Sequence, residues 1–200
     1  MLSESEIKSD MSVLKQGFNT IIRKIDCFSI LDKELVPEGL KPHTRSISWL
    51  VEQIVVQQTR KHLRLTEFEK VVASKSDVEQ YDCKVNIKGN ETLVNLKVTD
   101  VTKHNGRNDI NKAYKLYQIF KTNPKTRLYY VILKISFENV IVHFANEPPI
   151  VFYVPWVKEV YVNPSNHHLQ ASYYGQTIRT TKEFVDLIDK ELETKRLPRK

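Results

Sequence analysis

A chain of 200 residues with 40% hydrophobic side chains can bury a sizeable core, and one domain spanning 1–200 is the default expectation. With 28% charged residues, five glycines and no polar tract, the composition excludes a disordered or fibrous protein. Against 24 Asp and Glu stand 31 Lys and Arg, a formal charge of +7 that favours a polyanionic partner.

No stretch approaches the roughly 18 consecutive apolar residues of a membrane span. The amino terminus opens on Ser3, Glu4, Ser5 and Glu6 in place of a basic, apolar leader. A cytoplasmic protein without a membrane partner is expected. Cys27 and Cys83 lie far apart and fit no Cys-x-x-Cys or Cys/His ligand spacing, so both are expected as reduced thiols.

From Ile7, apolar residues recur at Met11, Leu14, Phe18, Ile21, Ile22 and Ile25, the three-and-four spacing of an amphipathic helix. Its stripe can pack on its own domain or pair with a second subunit. Pro37, Gly39 and Pro42 then punctuate the chain. A second helix fits 46–61, with Ile47, Leu50, Val51, Ile54 and Val55 on its core face and Glu52 near the edge of that stripe. Residues 62–80 show no readable period.

At Tyr81 the period becomes two: Cys83, Val85 and Ile87 alternate with Asp82, Lys84 and Asn86 before a turn at Lys88-Gly89-Asn90-Glu91. The returning strand, 92–98, places Leu93, Asn95 and Lys97 on one face and Val94, Leu96 and Val98 on the other. After the polar stretch His104-Asn105-Gly106-Arg107, a helix is expected over 109–121, with Ile110, Ala113, Leu116 and Phe120 apolar. Strands rich in Val, Ile and Tyr follow at 128–137, 140–144, 151–154 and 157–162. A closing helix starts at the capping box Thr180-x-x-Glu183 and buries Phe184, Leu187, Ile188 and Leu192.

The chemistry that these residues suit best is phosphodiester hydrolysis, which needs a divalent cation at the phosphate and a protein cation near the attacking water. Asp82 offers a hard oxygen ligand, while Asn95 and Lys97 share a strand face and can meet it across the hairpin. From Lys97 to Arg127 the chain carries eight Lys and Arg against Asp100 and Asp109. Lys103, Arg107, Lys112 and Lys115 in that run are candidate phosphate contacts. The basic tail of Lys195, Arg196, Arg199 and Lys200 reads as a solvated terminus.

Asn166, His167 and Gln170, near Asn163 and His168, are candidate DNA contacts, since amides can read adenine edges and His can reach phosphate or base. A polar turn after Pro164 is the alternative. Six histidines without a His-x-x-x-His pair, no Gly-rich phosphate loop and no Gly-x-Ser-x-Gly elbow exclude zincin, nucleotide-hydrolase and serine-hydrolase motifs.

Asp82, then twelve residues, then Asn95-Leu96-Lys97 resembles the PD-(D/E)xK nuclease family. The basic stretch Thr102-Lys103-His104-Asn105 and the run Ala113-Tyr114-Lys115-Leu116 look like the segment that follows the catalytic Lys in type II restriction endonucleases. The resemblance covers about residues 82–117 and departs from the motif at two places: Tyr81 stands at the Pro, and Asn95 stands at the second acid. It implies an α/β restriction-endonuclease-like core, a mixed central β-sheet flanked by helices. By the same resemblance Asp82 would hold Mg²⁺, with Mn²⁺ as a substitute, Asn95 and the Leu96 carbonyl would complete the ligands, and Lys97 would orient the water. Glu52 would add an acid from the preceding helix, with Glu67 or Glu69 as alternatives. The implied activity is cleavage of double-stranded DNA by a homodimer, alongside a cognate DNA methyltransferase. A non-catalytic DNA-binding relative and a structure-specific repair or recombination nuclease are the rival expectations.

Overall fold

The computed structural model describes residues 2–35, 39, 43–76, 79–102 and 107–197. Lys103, the rest of the polar stretch 103–106, Pro37, Pro42, Arg199 and Lys200 lie outside the described residues.

In chain order the elements are α1 (Glu4–Ile25), β1 (Cys27–Ser29), α2 (Thr44–Lys61), β2 (Lys70–Ala73), β3 (Cys83–Ile87), β4 (Asn90–Asp100), β5 (Arg107–Lys112) and α3 (Ala113–Thr122). There follow β6 (Leu128–Glu138), β7 (Ile141–Phe144), β8 (Ile150–Tyr153), β9 (Tyr161–Val162), β10 (His168–Ser172) and α4 (Thr181–Thr194). A seven-stranded mixed sheet runs β1-β7-β6-β4-β3-β2, with β8 added to β6, and a smaller sheet runs β5-β10-β9.

The long strand β6 organises the larger sheet. It lies parallel to β4, and along its other edge its first half pairs with β8 and its last part with β7, both antiparallel. Leu128 through Leu133 are all buried, the continuous apolar run of a strand covered on both faces. Helices α1 and α2 pack on each other, as do α3 and α4, and together they flank the sheet.

Both expected end helices form and both start on capping boxes. In α1, Ser3 and Glu6 satisfy each other's backbone N–H, and in α4 Thr180 and Glu183 do the same. The stripe of α1 goes into its own chain: Ile7, Leu14, Phe18, Ile21 and Ile22 are buried. A buried polar anchor fixes its register, since one Asp10 carboxylate oxygen accepts from Arg127 at 2.6 Å and from the Tyr129 hydroxyl at 2.8 Å.

The hairpin turns at Lys88 (φ +50°) and Gly89 (φ +73°), two consecutive positive values that suit the twist of the flanking strands. Gly89 N–H donates to the Glu69 carboxylate, so that acid serves the turn.

Four expectations are corrected, the first being Leu187, which was expected on the buried face of α4 and is 40% exposed, at the edge of the stripe that Phe184, Ile188 and Leu192 make. The helix placed at 109–121 begins only at Ala113, because residues 107–112 form β5 and pair with β10. Residues 168–172, expected to lie in a recognition loop that carries DNA contacts such as Gln170, are that partner strand, with Leu169 and Ala171 turned inward. The strand placed at 157–162 shrinks to Tyr161–Val162; ahead of it Val154–Trp156 is a 3₁₀ turn, where Pro155 has no N–H for a ladder and Trp156 is buried.

Candidate active site

Three elements converge on Asp82. Its N–H donates to the Val94 carbonyl of β4 at 2.9 Å, and its own carbonyl accepts from Ser74 N–H, just past β2, at 2.8 Å. Its carboxylate accepts from Leu96 N–H at 2.6 Å, so the side chain is clamped to β4 beside Asn95. The register carries Asn95 opposite Tyr130 and Lys97 opposite Ile132 on β6.

From α2, Glu52 joins this group. It is only 8% exposed, on the stretch that also buries Val51, Val55 and Val56. Burial pushes its carboxyl up to about 7; Lys97 pulls against the rise, and the charge on Asp82 adds to it. Asp82 is also raised: burial dominates over the pull of Lys97 and the Leu96 hydrogen bond. One buried and one half-buried carboxylate and one lysine thus act on one another electrostatically. Glu67 and Glu69 are exposed and do not enter this group.

Asn95 is buried; its amide donates to the Gln80 carbonyl at 3.3 Å, while Oδ1 is buried without a hydrogen-bond partner. An unmet buried acceptor costs about 1–3 kcal/mol.

Among the described residues no three His, Cys, Asp or Glu side chains gather as a metal cluster. A cation here would rest on two carboxylates and on neutral oxygens. That donor set suits Mg²⁺, which takes one or two carboxylates and keeps waters. Raised carboxyls and an unpartnered amide oxygen fit such an ion.

Alongside lies a cleft of about 290 Å³, lined by Trp49, Glu52, Lys75, Glu79, Tyr81 and Asp82 among others. Glu79 accepts from the Ser74 hydroxyl at 2.7 Å, and that bond holds its carboxyl below the usual range. Sequence reasoning missed Glu79 and Trp49. Glu79 falls in the stretch without a period, and nothing in the helical pattern of α2 marks Trp49. Tyr130 was missed too: fully buried, it donates to the Ile110 carbonyl at 2.5 Å and ties the row of Asn95 to β5.

The expected DNA contacts lie mainly on the smaller sheet and at the start of α3. Arg107 pairs with Glu159 at 2.9 Å and lies over the Tyr161 ring. Lys112 is exposed and Lys115 half-buried in the first turn of α3. Asn166 and Gln170 both donate to Asp109, at 2.9 and 2.6 Å, and the Asn166 oxygen accepts from His168 N–H. His167 adopts φ +59°, and its carbonyl accepts from Ala113 N–H. A pre-ordered polar surface results, with the Asn166 amide engaged at both ends.

No protein-family model and no curated protein matches the chain. Among solved structures the chain is similar to the NlaIV restriction endonuclease, with a TM-score of 0.59 at 15% identity over 96% of this chain and 80% of that one. The fold is restriction-endonuclease-like. At this identity the likeness speaks for the fold alone, and the residues above carry the chemistry. No helix among the described residues is long and apolar enough to cross a membrane.

Proposed function

We propose that the protein is a Mg²⁺-dependent endonuclease that hydrolyses phosphodiester bonds of double-stranded DNA, of the type II site-specific restriction kind. The observation that carries this reading is the meeting of Glu52, Asp82 and Lys97 beside the unpartnered oxygen of Asn95. Asp82, Glu52, Asn95 and the Leu96 carbonyl would hold the ion, which when bound supplies charge neutralisation at the phosphate and an activated water. Lys97 sets the protein's own contribution: its ammonium keeps the two carboxylates from being wholly protonated in a buried place, and it would hold a water or a phosphate oxygen by hydrogen bonding. Lys112, Lys115, Arg107, Lys103 and the polar ribbon of Asn166, His167 and Gln170 are the proposed DNA contacts. A homodimer acting on a palindromic site, with a DNA methyltransferase protecting that site, completes the proposal.

Plasmid DNA incubated with the protein and Mg²⁺ or Mn²⁺ tests it. The expected result is a discrete fragment pattern, a loss of at least about a hundred-fold for Lys97→Ala, and stronger cleavage for Asn95→Asp. Because Asn95 removes an acid, a non-catalytic DNA-binding protein is the second reading. Intact plasmid under either cation, with DNA binding retained, would favour it. Cleavage tied to DNA junctions or ends without discrete fragments would favour a repair nuclease.

A further inference from the structure

Trp49 is 63% exposed on α2, three residues before Glu52, and lines the same cleft as Glu52 and Asp82. An exposed indole forgoes roughly 2–3 kcal/mol of burial, so its place at the mouth of this cleft calls for a reason. Tyr81, the cleft's other aromatic ring, already has Lys84 over its face at 5.5 Å. Among the described residues Trp49 makes no such pairing with a ring or a cation.

The ring's surroundings define an occupant. Ser74, Ser76 and Gln53 give the cleft hydrogen-bonding walls, unlike the apolar walls that an aliphatic side chain would seek. Lys75 lines the cleft together with the carboxylates of Glu52, Glu79 and Asp82, where the proposed ion would sit, and Arg45, one helical turn before Trp49 on the same side, is exposed. A flat π surface with polar edges and an attached anion fits this combination of ring, polar wall and flanking cations. That is the chemistry of a nucleotide.

We infer that Trp49 stacks on a nucleobase of the strand entering the cleft, next to the phosphate that the ion proposed at Asp82 and Glu52 would neutralise. The inference rests on the endonuclease reading and adds to it a contact that paired, fully stacked DNA does not offer, so the strand must be locally unstacked there. Stacking of this kind contributes through contact area and is less sensitive to salt than the phosphate contacts are.

Fluorescence gives a direct readout, because the second tryptophan, Trp156, is only 3% exposed and its indole N–H is tied to the Arg179 carbonyl. A fluorescein-labelled oligonucleotide of mixed sequence, single-stranded, annealed with one mismatch or as a perfect duplex, is titrated with Ca²⁺ in place of Mg²⁺. Anisotropy reports binding and tryptophan emission reports Trp49. Saturable quenching that tracks the anisotropy curve is expected, and it disappears in Trp49→Ala. That variant and Trp49→Leu bind roughly five-fold to a hundred-fold more weakly, while Trp49→Phe stays near the parent. Melting temperatures of all three should match the parent's, as befits an exposed side chain.

Binding without quenching, or equal affinity for the parent and Trp49→Ala, would overturn the stacking role and leave the endonuclease reading standing. Binding to a perfect duplex alone would overturn the stacking role, and absence of binding to every oligonucleotide, the perfect duplex included, would overturn both.

Discussion

The Glu52 carboxyl titrates under opposed influences, and the sign of its effect on folding follows from them. Burial lifts it from about 4.5 in the unfolded chain to about 7 in the folded one, so the folded state holds the proton more tightly. Its contribution to stability is complete below the unfolded value and is lost as pH rises through the folded value, a change of roughly 3 kcal/mol. Asp82 is raised as well and contributes with the same sign. Glu52→Gln fixes the neutral form, so it should remove that slope between about pH 5 and pH 7.5. Urea unfolding of parent and variant in EDTA at both pH values measures it. A parent that tracks Glu52→Gln throughout would show that the carboxyl is not desolvated. At this scale the residues that the structure brings together in the candidate site were legible from the sequence only in part. Strand alternation puts Asn95 and Lys97 on one face across the hairpin from Asp82, but it was the resemblance to the nuclease motif that singled these three out and that pointed to an acid such as Glu52 on the preceding helix. Glu79, Trp49 and Tyr130 were not legible, since their roles come from loop closure, exposure and a cross-sheet hydrogen bond that no local period encodes.

Packing between elements is close where α1 meets Phe68. Gly17 is buried in α1, and a β-carbon there would meet three atoms of the Phe68 ring at 2.3–2.9 Å. That ring cannot swing freely, because it is buried and lies 5.5 Å from Phe18. Gly17→Ala gains about 1 kcal/mol of helix propensity and incurs about 1–3 kcal/mol of overpacking. The net expectation is destabilisation by about 1 kcal/mol, read as a lower urea midpoint; a more stable variant would mean that Phe68 yields easily. The helices α1, α2 and α4 and the β3-β4 hairpin were legible because their apolar residues keep one period along the whole element. β5 was not. Its sequence Arg-Asn-Asp-Ile-Asn-Lys buries one residue, Ile110, and it is a strand because β10 supplies the ladder from far along the chain. β10 itself alternates as a strand should, but five residues with two small or apolar inward positions are easily read as a polar turn.

At the scale of the whole molecule, the arithmetic of duplex cleavage bears on the proposed dimer. The described residues of one chain hold one grouping of Glu52, Asp82, Asn95 and Lys97, whereas a duplex presents two antiparallel strands. A single copy would have to cut, release or reorient, and cut again, so nicked circles would accumulate before linear plasmid. Two copies related by a two-fold axis match the symmetry of a palindromic site and cut both strands within one encounter. With protein in excess over supercoiled plasmid, linear DNA should therefore appear without a large nicked intermediate. Dilution below the dimer's dissociation constant should slow linear formation more steeply than in proportion to protein. The net charge of +7 adds a control, since raising salt weakens the encounter without changing the order of products. A nicked species that rises first and in high yield at every concentration would count against the dimer. It would leave the chemistry proposed at Asp82 and Lys97 untouched, because nicking would itself require that site.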